Sequence, residues 1–140
     1  MFNYKPIALV GGTVICAVGF LLLIPLITEI LYQTEMWQSY TVPILLYLIV
    51  GGSLVITNRN VEFKISTKEA FIITSLSWIL LSILCAIPFI YTQPSLSIVD
   101  SIFESMSGIT TTGSTILINL DELPKGILIW RALLQWLGGI

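Results

Sequence analysis

The chain has 140 residues, of which 56 % are hydrophobic and only 10 % are charged, and its net charge is −2. Soluble globular proteins carry about 25 % charged residues, so this composition excludes an ordinary soluble domain and predicts an integral membrane protein. The same hydrophobicity excludes disorder, and the lack of a basic run argues against nucleic-acid binding. Histidine is absent, which removes the commonest general base and metal ligand.

Three long uncharged windows predict membrane-spanning helices. Their apolar cores are 7–27, 41–57 and 70–90, and each reaches the roughly 17–25 residues that a spanning helix needs. A fourth apolar stretch, 126–140, amounts to about 22 Å of helix at 1.5 Å per residue, which is shorter than a hydrocarbon core about 30 Å thick. A signal peptide is the weaker interpretation of the first window, because the stretch is too long and no small-residue cleavage site follows.

The charges between these windows predict the orientation in the membrane. The second loop contains Arg59, Lys64 and Lys68, so it is expected on the cytoplasmic side together with the N-terminus. The first loop contains Glu29 and Glu35 and is then expected outside.

Small residues predict where helices pack closely. Ala8, Gly12 and Cys16 recur on one face of the first helix, and a Gly-Gly-Ser run at 51–53 interrupts the second. Such positions let helix backbones approach in lipid. Cys16 and Cys85 are interpreted as small buried hydrophobic side chains, because a metal or disulfide framework would need further ligands or cysteines nearby.

The segment 97–115 is the most informative part of the sequence. Ser97 and Asp100 form a Ser-x-x-acid capping pattern, and apolar residues then recur every four positions. These features predict a short amphipathic helix that ends at Ser107, with Gly108 as the stop. About ten residues give about 15 Å of helix, half of a membrane, so the segment is interpreted as re-entrant rather than spanning.

The residues that follow this helix form the candidate ion site. Thr110, Thr111 and Thr112 are poor helix formers, and non-helical backbone survives at membrane depth only inside protein or along a water-filled path. Their carbonyl oxygens could replace the hydration shell of K⁺, as in a selectivity filter. Gly113 can adopt φ > 0, which would aim neighbouring carbonyls at one axis, and the partly negative end of the helix favours a cation.

Three other interpretations compete with the filter. The spacing Gly108-x4-Gly113-Ser114-Thr115 resembles a phosphate-binding loop, but it lacks the lysine and the preceding strand. A catalytic Ser or Thr would lack a general base of the usual kind, so an enzyme is not predicted. An exposed Ser/Thr loop on the outer face is the third interpretation, and the half-length helix between apolar stretches favours the filter over it.

Charged and aromatic side chains near this segment carry separate expectations. Arg131 lies inside the fourth apolar stretch, where a charge either faces the protein interior or extends to the interface. We expect it to pair with Glu104 and so to support the pore segment structurally. Asp121 and Glu122 are expected at the outer start of the fourth helix, where acids suit its dipole. Interface anchoring or packing is expected of Trp37, Tyr40, Trp130 and Trp136.

Two stretches of the sequence resemble the TrkH/KtrB family of potassium transporters. They are 103–115, FESMSGITTTGST, and 123–140, which begins LPKG and ends QWLGGI; the opening at 1–6 is similar as well. The resemblance implies an all-α integral membrane fold of the bacterial inner membrane, with transmembrane helices plus one re-entrant pore helix and a filter loop. It divides the chain into an N-terminal helix pair with a cytoplasmic loop, 1–68, and the first of four helix–pore loop–helix repeats, 69–140, whose second helix is incomplete.

The resemblance also implies a function and partners. Thr110, Thr111, Thr112 and Gly113 would supply one quarter of a K⁺ filter, mainly through backbone carbonyls, and K⁺ would be the ion that a symporter or channel takes up. Family members are dimers that dock on a cytosolic nucleotide-binding ring called TrkA. A single quarter cannot surround an ion, so the chain alone is not expected to conduct and is interpreted as a fragment or one piece of a larger assembly. The alternative is a membrane protein without transport activity that packs against or regulates a larger partner.

Overall fold

The computed structural model describes residues 4–61 and 66–139, and this part of the chain is helical without strands. The helices are α1 Tyr4–Leu21, α2 Leu23–Leu31, α3 Gln38–Asn58, α4 Thr67–Thr92, α5 Ile98–Ile109 and α6 Lys125–Gly138. Short 3-10 turns at Glu35–Trp37 and Leu120–Glu122 precede α3 and α6. Within the described residues, three segments are long and apolar enough to cross a membrane: Tyr4–Leu31, Glu35–Asn58 and Thr67–Thr92. The three predicted spans are therefore confirmed.

The first span consists of α1 and α2 with an interruption at Leu22. Pro25 has no N–H to donate to the Leu21 carbonyl four residues earlier, so the regular helical ladder is broken there. The Leu26 amide still donates to the Leu22 carbonyl at 3.2 Å, and the two pieces form one continuous span.

Small residues bring α1 and α3 into close contact. A Cβ built on Gly12 would lie 2.7 Å from the Cβ of Leu54, and one built on Gly51 would lie 2.8 Å from the Cys16 amide nitrogen. The packing face predicted on the first helix is thus confirmed at Gly12 and Cys16. Gly52, by contrast, has no neighbour within 4 Å of its Cβ position and lies off this interface.

A proline in the third span connects three helices. Pro88 cannot donate a hydrogen bond to the Leu84 carbonyl in α4, and the Tyr47 hydroxyl of α3 donates to that carbonyl instead, at 2.8 Å. The indole N–H of Trp130 in α6 donates to the next carbonyl, Cys85, at 3.1 Å. Satisfying a freed carbonyl, such as that of Leu84, from a neighbouring helix is what makes a proline tolerable in a membrane helix. Trp130 is fully buried, so it packs rather than anchors at the interface.

The buried core draws on α1 and on α3 to α6, whereas large apolar side chains on the outer faces, such as Phe71 and Ile49, are exposed. Exposed apolar faces are expected where helices contact lipid.

Arg59 and Lys68 flank the second loop and are exposed, whereas Lys64 lies outside the described residues, as do Met1 and Ile140. The cytoplasmic placement of this loop stays a prediction.

Candidate functional site

Helix α5 begins with the capping arrangement that its sequence predicts. The Ser97 hydroxyl accepts the Asp100 N–H at 3.1 Å, and the Asp100 carboxylate accepts the Ser97 N–H at 3.1 Å. Asp100 is therefore a helix cap, as expected. The 12 residues of α5 extend about 18 Å at 1.5 Å per residue, little more than half of a hydrocarbon core. This length agrees with the re-entrant interpretation.

The end of α5 differs from the prediction. The helix does not stop at Ser107 but continues through Gly108 to Ile109. A Cβ on Gly108 would lie 2.9 Å from the Cβ of Leu134 in α6. Gly108 therefore permits a close contact between two helices and does not act as the helix stop. The predicted end was wrong because the contact that requires this glycine comes from a helix far along the chain.

The helix ends in a Schellman motif at the threonines. The Thr111 N–H donates to the Gly108 carbonyl, and the Thr112 N–H donates to the Ser107 carbonyl, both at 3.0 Å. This motif requires a left-handed residue directly after the cap, usually glycine. Here the residue is Thr111, with φ of 57°, and a left-handed conformation costs a residue with a Cβ roughly 1–2 kcal/mol.

A second left-handed residue follows at Gly113, with φ of 75°. The positive φ expected of Gly113 is therefore present, whereas the one at Thr111 was missed. The only signal for it in the sequence was the register of the helix end, and that register was misjudged by two residues.

At 110–113 the loop backbone presents carbonyls rather than amides. The N–H groups of Thr111, Thr112 and Gly113 all turn back to carbonyls at the end of α5. Within the described residues, no hydrogen bond reaches the carbonyl oxygens of Thr110, Thr111 or Thr112. The whole stretch 110–116 is exposed. The carbonyl oxygens of Thr110, Thr111 and Thr112 are thus free oxygen ligands, which suits a cation.

One buried ion pair holds both sides of this loop. Glu104 is 0 % exposed and Arg131 is 15 % exposed, and their Oε2 and Nε atoms lie 3.0 Å apart. The other oxygen of Glu104 accepts the Ile116 N–H and the Thr115 hydroxyl, each at 2.6 Å. Arg131 donates from Nη2 to the Gly113 carbonyl at 3.3 Å. The expected contact between the two charges is present, and it is embedded in a network that the sequence did not reveal.

A serine supplies a further hold on the loop. The Ser107 hydroxyl donates to the Ser114 carbonyl at 2.6 Å, which turns that carbonyl towards the protein. Ser107 and Thr115 are the polar side chains that the sequence did not single out here. A cavity of about 170 Å³ lies beside Ser107 and is lined by Phe103, Met106, Ser107, Thr110, Thr112 and Ser114.

The acidic pair lies directly before α6, as expected, whereas its placement on the outer side of the membrane stays a prediction. Asp121 and Glu122 belong to a 3-10 turn that precedes Pro124 and the first residue of α6. The Asn119 side-chain amide donates to the Glu122 carboxylate at 3.3 Å. Both acids are exposed, so they occupy the end of the loop rather than its centre.

The chain is similar to known potassium uptake proteins. A family model described as TrkH, cation transport protein, matches residues 36–140. The Trk system potassium uptake protein TrkH of Escherichia coli K12 is 34 % identical over 139 residues, which is 99 % of this chain and 29 % of that protein. The Halomonas elongata protein of the same name is 36 % identical over 117 residues, which is 83 % of this chain and 24 % of that protein. The crystal structure of the potassium transporter TrkH from Vibrio parahaemolyticus superposes with a TM-score of 0.90 at 32 % identity, over 99 % of this chain and 30 % of that chain.

Proposed function

Because this chain belongs to the TrkH family of cation transport proteins, we propose that its residues 69–140 form one quarter of a K⁺ selectivity filter. The chain itself is a multi-pass membrane protein with three apolar helices of spanning length among its described residues. It covers only 29 % of the length of the Escherichia coli relative. K⁺ uptake is therefore proposed for the assembly to which this chain contributes.

The observation that carries this proposal is the run of free carbonyls in the loop. Thr110, Thr111 and Thr112 follow the end of a half-membrane helix, are exposed, and leave their carbonyl oxygens without donors. Oxygen dipoles of this kind can replace the water around K⁺. The Gly113 carbonyl is already bonded to Arg131, so Gly113 contributes mainly through the backbone bend at its positive φ.

The electrostatics of the site suit a permeating ion. The charge of Glu104 is paired with Arg131, which leaves no unpaired carboxylate on α5 beyond its cap. A cation would then be held by carbonyl dipoles and by the partly negative end of α5. Conduction requires binding that is favourable enough for entry and weak enough for exit, and dipoles without a full anion meet that requirement.

A single loop covers only one side of an ion. Four such loops would surround it, so the proposed filter needs three further loops of the same kind around the axis, and the chain alone does not conduct.

We also propose an inner-membrane location with a cytoplasmic N-terminus, a homodimeric assembly, and docking on a TrkA-type nucleotide-binding ring. These proposals rest on the family resemblance.

Gly113→Ser in the assembly to which this chain contributes tests the filter. A serine would have to adopt φ of 75°, a region that disfavours any residue with a Cβ. We expect the K⁺ over Na⁺ permeability ratio in proteoliposomes to fall. The matched control is Gly52→Ser, because nothing lies within 4 Å of the Cβ position there, and it should leave the ratio unchanged.

Two outcomes would count against the proposal. If Gly113→Ser gave the same K⁺ over Na⁺ permeability ratio as Gly52→Ser, the non-transporting packing or regulatory function would be favoured instead. If the 140-residue chain reconstituted alone gave robust K⁺-selective flux, the requirement for three further loops would be wrong. The two similar proteins from Escherichia coli and Halomonas elongata are both named potassium uptake proteins, which favours transport over the packing function.

A further inference from the structure

A buried acid connects the first span to the start of α6. Glu29 lies in α2, and its side chain is 0 % exposed. One carboxylate oxygen accepts the N–H of Gly126 at 2.6 Å, across 97 residues of sequence. The other accepts the hydroxyl of Thr34. A carboxylate this deeply buried requires such donors, because an unpaired one would be strongly destabilising.

The bond to Gly126 supplies what α6 lacks locally. The first N–H groups of a helix have no partner within the helix. Pro124 occupies the cap position and makes no side-chain cap hydrogen bond. Glu29 therefore caps α6 from another helix, and its negative charge is favourable beside the positive end of the helix dipole.

Gly126 is shaped to receive this carboxylate. A Cβ built on Gly126 would overlap the carboxylate of Glu29, and it would lie 2.9 Å even from the carboxylate carbon. The two positions are thus complementary: the acid needs the glycine for access, and the glycine N–H needs the acid as its acceptor.

Helix α6 carries this contact to the loop. Gly126 and Arg131 lie on the same helix, and Arg131 bonds both to Glu104 and to the Gly113 carbonyl. We infer that Glu29 is a positioning residue for the filter, because it sets where α6 begins and therefore where the Arg131 guanidinium meets the Gly113 carbonyl. This inference rests on the proposed filter function.

Substitutions at Glu29 distinguish the effect of its side-chain length from the effect of its charge. In the assembly to which this chain contributes, Glu29→Gln keeps an oxygen that can accept the Gly126 N–H, whereas Glu29→Asp keeps the charge but is one methylene too short. We expect Glu29→Asp and Glu29→Ala to lower the K⁺ over Na⁺ permeability ratio by roughly fivefold or more, the lower end of typical couplings between sites. Glu29→Gln should keep the permeability ratio close to that of the wild type. Glu35→Ala, at an exposed acid in the following turn, is the matched control.

A double substitution tests the contact itself. Gly126→Ala should lower the same ratio, because the added methyl group displaces the carboxylate. In the Glu29→Ala background, Gly126→Ala should add no further change, because nothing remains to displace. Membrane abundance and thermal unfolding are measured beside the permeability ratio for every variant.

The outcomes separate this inference from the proposed function. If Glu29→Asp matches the wild-type ratio, or if the variants lower abundance and leave the ratio of the surviving protein unchanged, Glu29 is only structural and the inference fails. If Gly113→Ser still lowers the ratio in that case, the filter proposal stands without Glu29. If neither Gly113→Ser nor any Glu29 variant changes the ratio, the filter proposal fails as well.

Discussion

The carboxylate of Glu104 and the guanidinium of Arg131 lie 3.0 Å apart, and each of them also holds the backbone of the loop between α5 and α6. Glu104 accepts the Ile116 N–H, and Arg131 donates to the Gly113 carbonyl. The two residues therefore position the loop on both sides of its turn. Removing Arg131 would leave the fully buried Glu104 carboxylate without its counter-charge, and removing Glu104 would leave the largely buried guanidinium without its partner.

Substitutions in this pair should be coupled. Removing one partner of a buried ion pair costs about 3–5 kcal/mol, because the other charge is left without compensation. Glu104→Ala should lower the stability more than Arg131→Ala, since Glu104 also binds Thr115 and Ile116. Thermal unfolding of both single variants and of the double variant measures the coupling. Strictly additive effects of the two substitutions would contradict the pairing.

Substitution by glycine should have opposite effects on stability at Thr111, which is left-handed, and at Thr112, which is not. Thr111→Gly removes the Cβ that is strained at φ of 57°, so we expect a gain in stability of up to about 1 kcal/mol after the entropy cost of glycine. Thr112 is not among the residues with positive φ, and Thr112→Gly should lower the stability instead. The comparison needs only the unfolding temperatures of the two variants. Equal shifts at both positions would show that Thr111 is not strained.

The contact between α5 and α6 makes Gly108 sensitive to size. Gly108→Ala places a methyl group 2.9 Å from the Leu134 Cβ, and overpacking of this kind costs about 1–3 kcal/mol. Gly52→Ala is the control within a helix, since its Cβ position is empty. It should be neutral or stabilising, because alanine is the better helix former. Tolerance of Gly108→Ala without loss of stability would contradict the contact.

The Tyr47 hydroxyl should contribute more to stability when a proline occupies position 88 than when an alanine does. Tyr47→Phe leaves the Leu84 carbonyl without its donor, and an unsatisfied buried carbonyl costs about 1–3 kcal/mol. In a Pro88→Ala background, the helix supplies its own N–H to that carbonyl, so Tyr47→Phe should cost clearly less. A double-mutant cycle on thermal unfolding tests this. An equal cost of Tyr47→Phe in both backgrounds would show that the hydroxyl does not serve the proline site.

Local patterns were enough to predict which segments are helical, though not where α5 ends. The apolar windows defined the three spans because a helix in lipid must be apolar over the thickness of the bilayer. The capping box at Ser97 and Asp100 was recognisable because its two partners lie three residues apart. The Ser/Thr-rich loop before Gly113 could be placed because poor helix formers follow a helix too short to cross the membrane.

Tertiary structure alone decided how these elements meet. The role of Gly108 depends on Leu134, the cap of α6 depends on Glu29, and these partners are 26 and 97 positions away in the chain. No local pattern encodes such a partner, because it is the packing of helices that brings the two atoms together. The position of the left-handed residue follows from the helix end: α5 continues past Gly108 to Ile109, so the residue after the cap is Thr111, three positions beyond the glycine.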